Sequence, residues 1–278
     1  MIRVIVQAGS KREARARDNA MSIRQSVCYP MLQPPALSFD RFFGAVADIG
    51  YAAVELWGRG EDFPEVLKAA RAHRLGIASM IGMGSPAGGL NRREDHAAIE
   101  RGLRLSIDVA ADNGIPGLIC FSGNRRAGLS DEEGARITAE GLLRVAPYAE
   151  RKGVNLNLEL LNSKVDHQGY QCDRTAWAVA VCAAVNSPRV KILYDIYHMQ
   201  IMEGDIIRTI GENIGRIGHF HTAGVPGRHD LDESQELNYA AIARAIAASG
   251  YDLYVGHEFS PKGDALAALR QAFRIFAV

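Results

Sequence analysis

The segment Leu193-Tyr-Asp-Ile-Tyr-His-Met-Gln-Ile-Met-Glu-Gly-Asp205 decides the predicted fold class, because its character changes from apolar to polar within a few residues. It continues an apolar strand, and Asp195 and His198 stand where a buried strand should run out into a loop. A helix is predicted to follow from about Ile206. In parallel α/β proteins the catalytic groups lie at the C-terminal ends of strands and on the loops that follow. The segment therefore predicts a parallel α/β protein with a functional site at this strand end.

Three other segments repeat the same pattern of an apolar strand that ends in a potential metal ligand. They are Asn155-Leu-Asn-Leu-Glu159, Ile217-Gly-His-Phe-His221 and Leu253-Tyr-Val-Gly-His-Glu258. A single carboxylate at a strand end is usually solvated or caps a helix, and His219 fits a histidine of the barrel interior. Four such residues at four matching places favour one shared site. The candidate ligands are Glu159, Asp195, His221 and Glu258.

Strand-like and helix-like segments alternate from residue 23 onward, which predicts a parallel sheet. Eight such units over residues 23–278 predict a (β/α)8 TIM barrel that forms a single domain, since such barrels typically have about 250 residues. A doubly wound open sheet is the alternative, but the segment after the first strand lacks a glycine-rich phosphate loop. The predicted strands are Arg24–Tyr29, Ala52–Leu56, Ile77–Ile81, Gly117–Phe121, Val154–Leu160, Val190–Ile196, Ile217–Thr222 and Leu253–Glu258.

Three segments outside the strands carry separate predictions. Residues 130–152 are predicted as one helix that begins at a capping box at Ser130. Residues 82–91 are rich in Gly and Pro and are predicted as a long loop, of a kind that often covers a site. Residues 1–22 are charged and without periodicity, and we interpret them as an N-terminal extension that is either disordered or an arm toward a neighbouring subunit.

Composition limits the classes of partner. The chain has 278 residues, of which 47% are apolar, and its 32 basic and 32 acidic residues give no formal net charge. This balance gives no general support for binding nucleic acid or an anionic membrane, and no apolar run reaches the roughly 18–20 residues of a membrane helix. The four cysteines form no CxxC pair, which predicts reduced thiols in a cytoplasmic protein. A small-molecule substrate is the expected partner, and a homo-oligomer remains open.

The four candidate ligands define the kind of metal expected. They lie on strands five to eight, which are consecutive neighbours in a closed barrel, so their C-terminal ends converge on one side of the mouth. Two Glu, one Asp and one His make a hard site that consists mostly of oxygen ligands. Such a site favours Mg²⁺ or Mn²⁺, with Zn²⁺ or Co²⁺ as alternatives.

Several motifs between residues 159 and 263 resemble the hydroxypyruvate isomerase family, which belongs to the xylose isomerase-like TIM-barrel superfamily. The resemblance extends from about Arg24 to the C-terminus and does not include residues 1–22. The motifs are Glu159-Leu-Leu-Asn-Ser, Asp166-His-Gln-Gly-Tyr-Gln, Tyr194-Asp-Ile-Tyr-His-Met-Gln, Ala223-Gly-Val-Pro-Gly-Arg-His229 and Glu236-Leu-Asn-Tyr239.

This resemblance implies roles for particular residues. It implies that the four strand-end residues bind a divalent metal and that Glu159 and Glu258 also exchange protons with the substrate. It implies that His198 and Arg228 hold substrate oxygens, and it suggests His167 and Glu55 as further substrate contacts. The alternatives are that His167 is a loop residue facing water and that Glu55 only pairs with a nearby base. Some hydroxypyruvate isomerases carry Gln where His221 stands, and histidine there resembles the related ketose 3-epimerases.

The chemistry of carbonyl migration needs the same kinds of group. Moving a carbonyl between adjacent carbons requires removal of the proton alpha to it and passes through an enediolate, whose two oxygens a divalent metal stabilises. Positioned carboxylates take and return the protons, and Arg binds a substrate carboxylate in a bidentate manner. The sequence therefore predicts a metal-assisted isomerase that converts hydroxypyruvate to tartronate semialdehyde.

Three other functions stay open at this point. The first is a ketose 3-epimerase or another isomerase of small sugars or 2-oxo acids. The second is a DNA-repair endonuclease of the endonuclease IV type, which needs a histidine-rich cluster of three zinc ions and a basic face. Eight histidines, several of them away from the strand ends, and zero formal charge disfavour it. The third is a sugar-binding barrel without activity, against which the four ligands and His198 argue.

Overall fold

The computed structural model describes residues 23–278, in which eight parallel strands close into a barrel, and the first strand pairs with both the second and the eighth. The predicted extension at residues 1–22 lies outside the described residues. This topology confirms the predicted (β/α)8 TIM barrel and contradicts the doubly wound sheet. The strands are β1 Arg24–Cys28, β2 Ala53–Leu56, β3 Gly76–Met83, β4 Gly117–Cys120, β5 Asn155–Glu159, β6 Val190–Asp195, β7 Ile217–Thr222 and β8 Tyr254–His257.

Helices surround the barrel and connect its strands, and several begin at a side chain that accepts a hydrogen bond from the first turn. Ser38, Ser130, Asn238 and Asp264 act as such caps. No helix among residues 23–278 is both long and apolar enough to cross a membrane. The helices are α1 Tyr29–Leu32, α2 Phe39–Ile49, α3 Phe63–Ala72, α4 His96–Asp112, α5 Asp131–Leu143, α6 Ala146–Lys152, α7 Thr175–Val185, α8 Ile196–Met202, α9 Ile206–Asn213, α10 Tyr239–Ala248 and α11 Ala265–Phe276, with 3₁₀ turns at Arg93–Asp95 and Ile214–Arg216.

The structure corrects three predicted elements. Residues 130–152 form two helices, α5 and α6, because Pro147 in the first turn of α6 lacks the N–H that a continuous helix needs. The segment after β6 is helix α8 rather than a loop, because Asp195 accepts a hydrogen bond from the backbone N–H of His198 and so caps it. Strand β3 extends two residues into the predicted loop, as far as Met83.

The interior of the barrel contains buried polar side chains beneath the mouth. Ser26, Glu55 and His219 are at most 2% exposed and lie on three different strands. Gly256 on β8 provides the space for one of them, since a Cβ there would overlap Glu55 Oε1. The barrel thus holds a polar layer directly under its C-terminal end, and this layer supports the site described next.

Candidate active site

Four side chains from four adjacent strands meet at the C-terminal end of the barrel. Glu159 and Asp195 end β5 and β6, His221 lies on β7, and Glu258 follows β8. All four are buried, and one ligand atom from each lies within 4.8 Å of the others. The Nδ1 atom of His221 lies 3.1 Å from Glu258 Oε2, 3.5 Å from Glu159 Oε1 and 3.9 Å from Asp195 Oδ2. The barrel therefore brings the four predicted ligands together.

A contact behind His221 fixes the orientation of its ring. The Nε2 atom lies 3.0 Å from Glu55 Oε2, while Nδ1 faces the three carboxylates and has no hydrogen bond among residues 23–278. Glu55 also accepts hydrogen bonds from His219 Nε2 at 3.0 Å and from Ser26 Oγ at 2.5 Å. Glu55 lies beneath His221 with both carboxylate oxygens engaged by protein groups, which fits the alternative that it pairs with a nearby base, and its role as a substrate contact stays a prediction.

Burial and neighbouring charges shift the pKa values of the cluster in different directions. Burial raises the pKa of Asp195 to about 7. Burial also acts to raise the pKa of Glu258, but Arg228 and His221 outweigh it and hold that pKa well below its usual range. Burial opposes a charge on His221, yet Glu258 and Glu55 raise its pKa. The three carboxylates of the cluster lie close together, so a nearby positive charge stabilises their ionised forms.

His198 reaches the same cluster from the first turn of α8, and it is completely buried. Its Nδ1 lies 2.7 Å from Asn162 Nδ2. Its Nε2 has no hydrogen bond within the described chain and lies 3.7 Å from Asp195 Oδ2. Burial, together with the charge of Arg228, lowers the pKa of His198 well below its usual range. His167 packs edge-on against this ring, with ring centroids 5.3 Å apart.

Three donors surround the carboxylate of Glu258. Arg228, from the loop after β7, places Nη2 at 2.5 Å from Oε2. Trp57, which follows β2, donates its indole N–H to Oε1 at 3.0 Å, and Cys28 Sγ lies 3.7 Å from the same oxygen. The Nε atom of Arg228 is buried and has no partner within residues 23–278. Arg228 therefore lies beside the cluster.

The cavity at the mouth has two walls of different character and a volume of about 270 Å³. Polar side chains from β5 and from the segments after β5, β7 and β8 form one wall, and apolar side chains mainly from the ends of β2, β3 and β4 form the other. Trp57 and this apolar wall were not predicted as site residues, because apolar residues near strand ends also fit a buried core. The polar wall is Glu159, His167, Arg228 and Glu258, and the apolar wall is Trp57, Ile81, Pro86, Ile119, Phe121 and Leu161.

A family model gives the relationship of this barrel to known proteins. The model of the xylose isomerase-like TIM barrel matches residues 43–277. The chain belongs to this family. The match includes all four residues of the cluster, together with His198 and Arg228. Glu55, whose carboxylate contacts His221, also lies within the matched range.

Two relatives make the relationship more specific. A protein named 2-oxo-tetronate isomerase from Cupriavidus necator is 34% identical over 244 residues, which cover 83% of this chain and 90% of the relative. A putative hydroxypyruvate isomerase from Homo sapiens is 27% identical over 237 residues, with 81% and 85% of the two chains covered. The resemblance to hydroxypyruvate isomerases that the motifs indicated is confirmed.

A solved structure shows the same fold at lower identity. The AP endonuclease of family 2 from Brucella melitensis aligns with a TM-score of 0.77 at 24% identity, and the alignment covers 89% of this chain and 96% of the other. At this identity the likeness shows the shared barrel and carries no information about nuclease activity.

Proposed function

We propose that this family member is a metal-dependent isomerase of a short 2-oxo acid, with the conversion of hydroxypyruvate to tartronate semialdehyde as its reference reaction. The broader class, an isomerase of small sugars or 2-oxo acids, follows from its family and its named relatives. One observation supports an acid rather than a sugar. Arg228 lies in the wall of the cavity with a buried Nε that has no partner in the described chain, and a guanidinium is suited to a carboxylate.

The residues of the cluster fit a divalent cation. Three buried carboxylates converge on one imidazole nitrogen that has no hydrogen bond among residues 23–278, and like charges this close are unfavourable without a cation. The other nitrogen of His221 contacts Glu55, as the second nitrogen of a metal-binding histidine usually does with a carboxylate. Glu159, Asp195, His221 and Glu258 would hold the ion, with Mg²⁺ or Mn²⁺ preferred for this ligand set. Once bound, it would supply positive charge beside the substrate oxygens.

Glu159 and Glu258 are the proposed groups for proton transfer. Both line the cavity, and they come from strands that are separated by β6 and β7, so they approach a bound substrate from different directions. Against the effect of burial, Arg228 and His221 hold Glu258 in its ionised form by lowering its pKa, and this carboxylate in the cavity wall would take up the proton that leaves the carbon alpha to the carbonyl. Glu159, protonated from solvent, would donate a proton to the former carbonyl carbon, while the hydroxyl proton of the substrate passes to the former carbonyl oxygen. Glu258 would then release its proton to solvent.

His198 and Arg228 are the proposed groups that hold the substrate. Arg228 would bind the carboxylate through its unused Nε–H, and His198 would donate from Nε2 to a carbonyl or hydroxyl oxygen. The apolar wall opposite them offers no hydrogen bonds for hydroxyl groups of a long sugar chain, which supports a short substrate. The competing function is a ketose 3-epimerase, and the histidine at position 221 favours it.

Replacement of Arg228 tests the acid against the sugar. Hydroxypyruvate and dihydroxyacetone are a matched pair, because they differ only in a carboxylate that replaces a hydroxymethyl group. A hydrogen bond to a charged group contributes about 1.5–3 kcal/mol, so Arg228→Met should lower kcat/KM for hydroxypyruvate by about ten- to a hundredfold. The loss of kcat/KM for dihydroxyacetone should be smaller, because this substrate has no carboxylate. For dihydroxyacetone the variant removes only the contact between Arg228 and Glu258.

The control is Arg208→Met, which removes an exposed arginine in the first turn of α9 that pairs with Asp205, the residue just before that helix. It should leave kcat/KM unchanged for both substrates. A larger loss on dihydroxyacetone than on hydroxypyruvate in the Arg228→Met protein would reject the carboxylate contact and favour the epimerase.

A further inference from the structure

Asn162, three residues after Glu159, uses every polar atom of its side chain. Its Oδ1 accepts hydrogen bonds from the backbone N–H groups of Val165 and Asp166, both at 2.9 Å. Its Nδ2 donates to Asp166 Oδ2 at 2.5 Å and contacts His198 Nδ1 at 2.7 Å. Two backbone N–H groups can donate only to the amide oxygen, so they determine which way the amide points.

This orientation determines where the proton of His198 lies. Because the amide nitrogen of Asn162 donates, Nδ1 of His198 has to accept and cannot carry a proton. The ring proton therefore lies on Nε2. That atom is buried, has no partner among the described residues and lies on the side of the ring that faces the cluster, 3.7 Å from Asp195 Oδ2.

Asp166 does not offer His198 an alternative partner. Its Oδ2 lies 4.0 Å from His198 Nδ1, beyond hydrogen-bond distance. The same oxygen already accepts from Asn162 and from the hydroxyl of Tyr197, the latter at 2.8 Å. Asn162 is therefore the group that contacts Nδ1, and Asp166 supports Asn162.

We propose that Asn162 is a positioning residue that fixes His198 in the Nε2–H tautomer, so that His198 acts only as a donor to a substrate oxygen and never as a base. The kinetic part of this proposal rests on the proposed isomerase function, whereas the tautomer itself does not. A donor suits a carbonyl or hydroxyl oxygen on which negative charge develops. Proton abstraction is then left to the carboxylates of the cluster.

The first experiment measures the tautomer directly. Full-length protein labelled with ¹⁵N at its eight histidines, without added metal, is examined by long-range ¹H–¹⁵N correlation, and His198→Gln assigns the signal. We expect an unprotonated Nδ1 and a protonated Nε2. A proton on Nδ1 in the unaltered protein would overturn the proposal, whatever reaction the enzyme catalyses.

The second experiment reverses the polarity of the contact while it keeps the net charge. In the double variant Asn162→Asp with Asp166→Asn, the group that faces Nδ1 can only accept, so the proton should move from Nε2 to Nδ1. Asp166→Asn alone is the matched control, because it leaves the contact between Asn162 and His198 in place. That control should keep the wild-type tautomer. An unchanged tautomer in the double variant would overturn the proposal.

Kinetics then test the role as donor. With hydroxypyruvate and Mn²⁺, the double variant should lose about 10²- to 10³-fold in kcat, the usual cost of removing one positioned donor from a developing charge. The Asp166→Asn protein, which keeps the contact between Asn162 and His198, should retain most of the wild-type kcat. If the tautomer changes and kcat does not, the donor role of His198 is rejected. Absence of turnover in the unaltered protein would reject only the proposed substrate, and the NMR result would stand.

Discussion

The two halves of the barrel mouth differ in chemistry although they share one architecture. Strands β5 to β8 end in the buried cluster Glu159, Asp195, His221 and Glu258, with Arg228 on a loop beside it. Strands β2 to β4 end mostly in apolar side chains such as Ile81, Ile119 and Phe121. The polar half therefore offers charged and hydrogen-bonding groups to a bound molecule, whereas the apolar half offers mainly van der Waals contact.

The division is incomplete, because two residues of the apolar half contact the polar one. Glu55 on β2 extends across the interior to His221, and Trp57 at the end of the same strand donates to Glu258. The first contact lies below the cluster and the second at its rim. Residues of the apolar half therefore contact two candidate ligands of the polar half.

The largest effect is expected in the polar half itself. Glu159→Gln and Glu258→Gln keep the size of the side chain but remove the base, so each should lower kcat by at least about 10²-fold. The measurement is turnover of hydroxypyruvate with Mn²⁺ and exchange of the alpha deuterium of labelled substrate into solvent. Glu212→Gln, an exposed change on α9, is the control. Turnover and exchange that persist in both variants would show that the protons use other groups.

An intermediate effect is expected from Glu55, which tests whether the apolar half positions a ligand. Glu55→Gln replaces an acceptor facing His221 Nε2 with an amide, which weakens the preference for the orientation that leaves Nδ1 free. Loss of such a partner typically costs 10–100-fold in metal affinity, so calorimetric titration with Mn²⁺ should show a Kd higher by about that factor.

Ser26→Ala is the matched control for Glu55→Gln. It removes the third donor to Glu55 and leaves both histidine contacts in place. Its Kd for Mn²⁺ should stay within about twofold of the wild-type value, since the contact with His221 is kept. Equal Mn²⁺ affinity in the Glu55→Gln and wild-type proteins, with both folded by circular dichroism, would contradict a positioning role for Glu55.

The polar half was also the half that sequence could predict. Glu159, Asp195 and His221 end apolar strands at matching places, and strand neighbours in a closed barrel bring such residues together. The eight strands followed from alternation of segments, with end points that differ by a residue or two. Helix α8 was missed because it has only seven residues and because its cap, Asp195, has the same appearance as a ligand at a strand end.

The contacts that cross the mouth could not be predicted, because they depend on distances between residues far apart in sequence. Glu55 and His221 are separated by 166 positions, and Trp57 and Glu258 by 201. Glu55 stood out as a charge at the end of a strand, but only the structure shows that it points inward. Ile81 and Ile119 fit a core pattern equally well, so their place in the cavity wall had no local indication.

The smallest effect is expected from Trp57, whose side chain lies at the rim. Trp57→Phe keeps an aromatic wall and removes the indole donor to Glu258 Oε1. The residue is 46% exposed, so water replaces part of the lost contact, and a typical net hydrogen bond of about 0.5–1.5 kcal/mol gives a two- to tenfold lower kcat/KM. Trp177→Phe is the control, because that indole donates to the backbone of Asp131, away from the mouth. A loss from Trp57→Phe as large as that from Glu258→Gln would contradict this division of the mouth, because it would mean that the end of β2 contributes to turnover as much as the ends of β5 to β8.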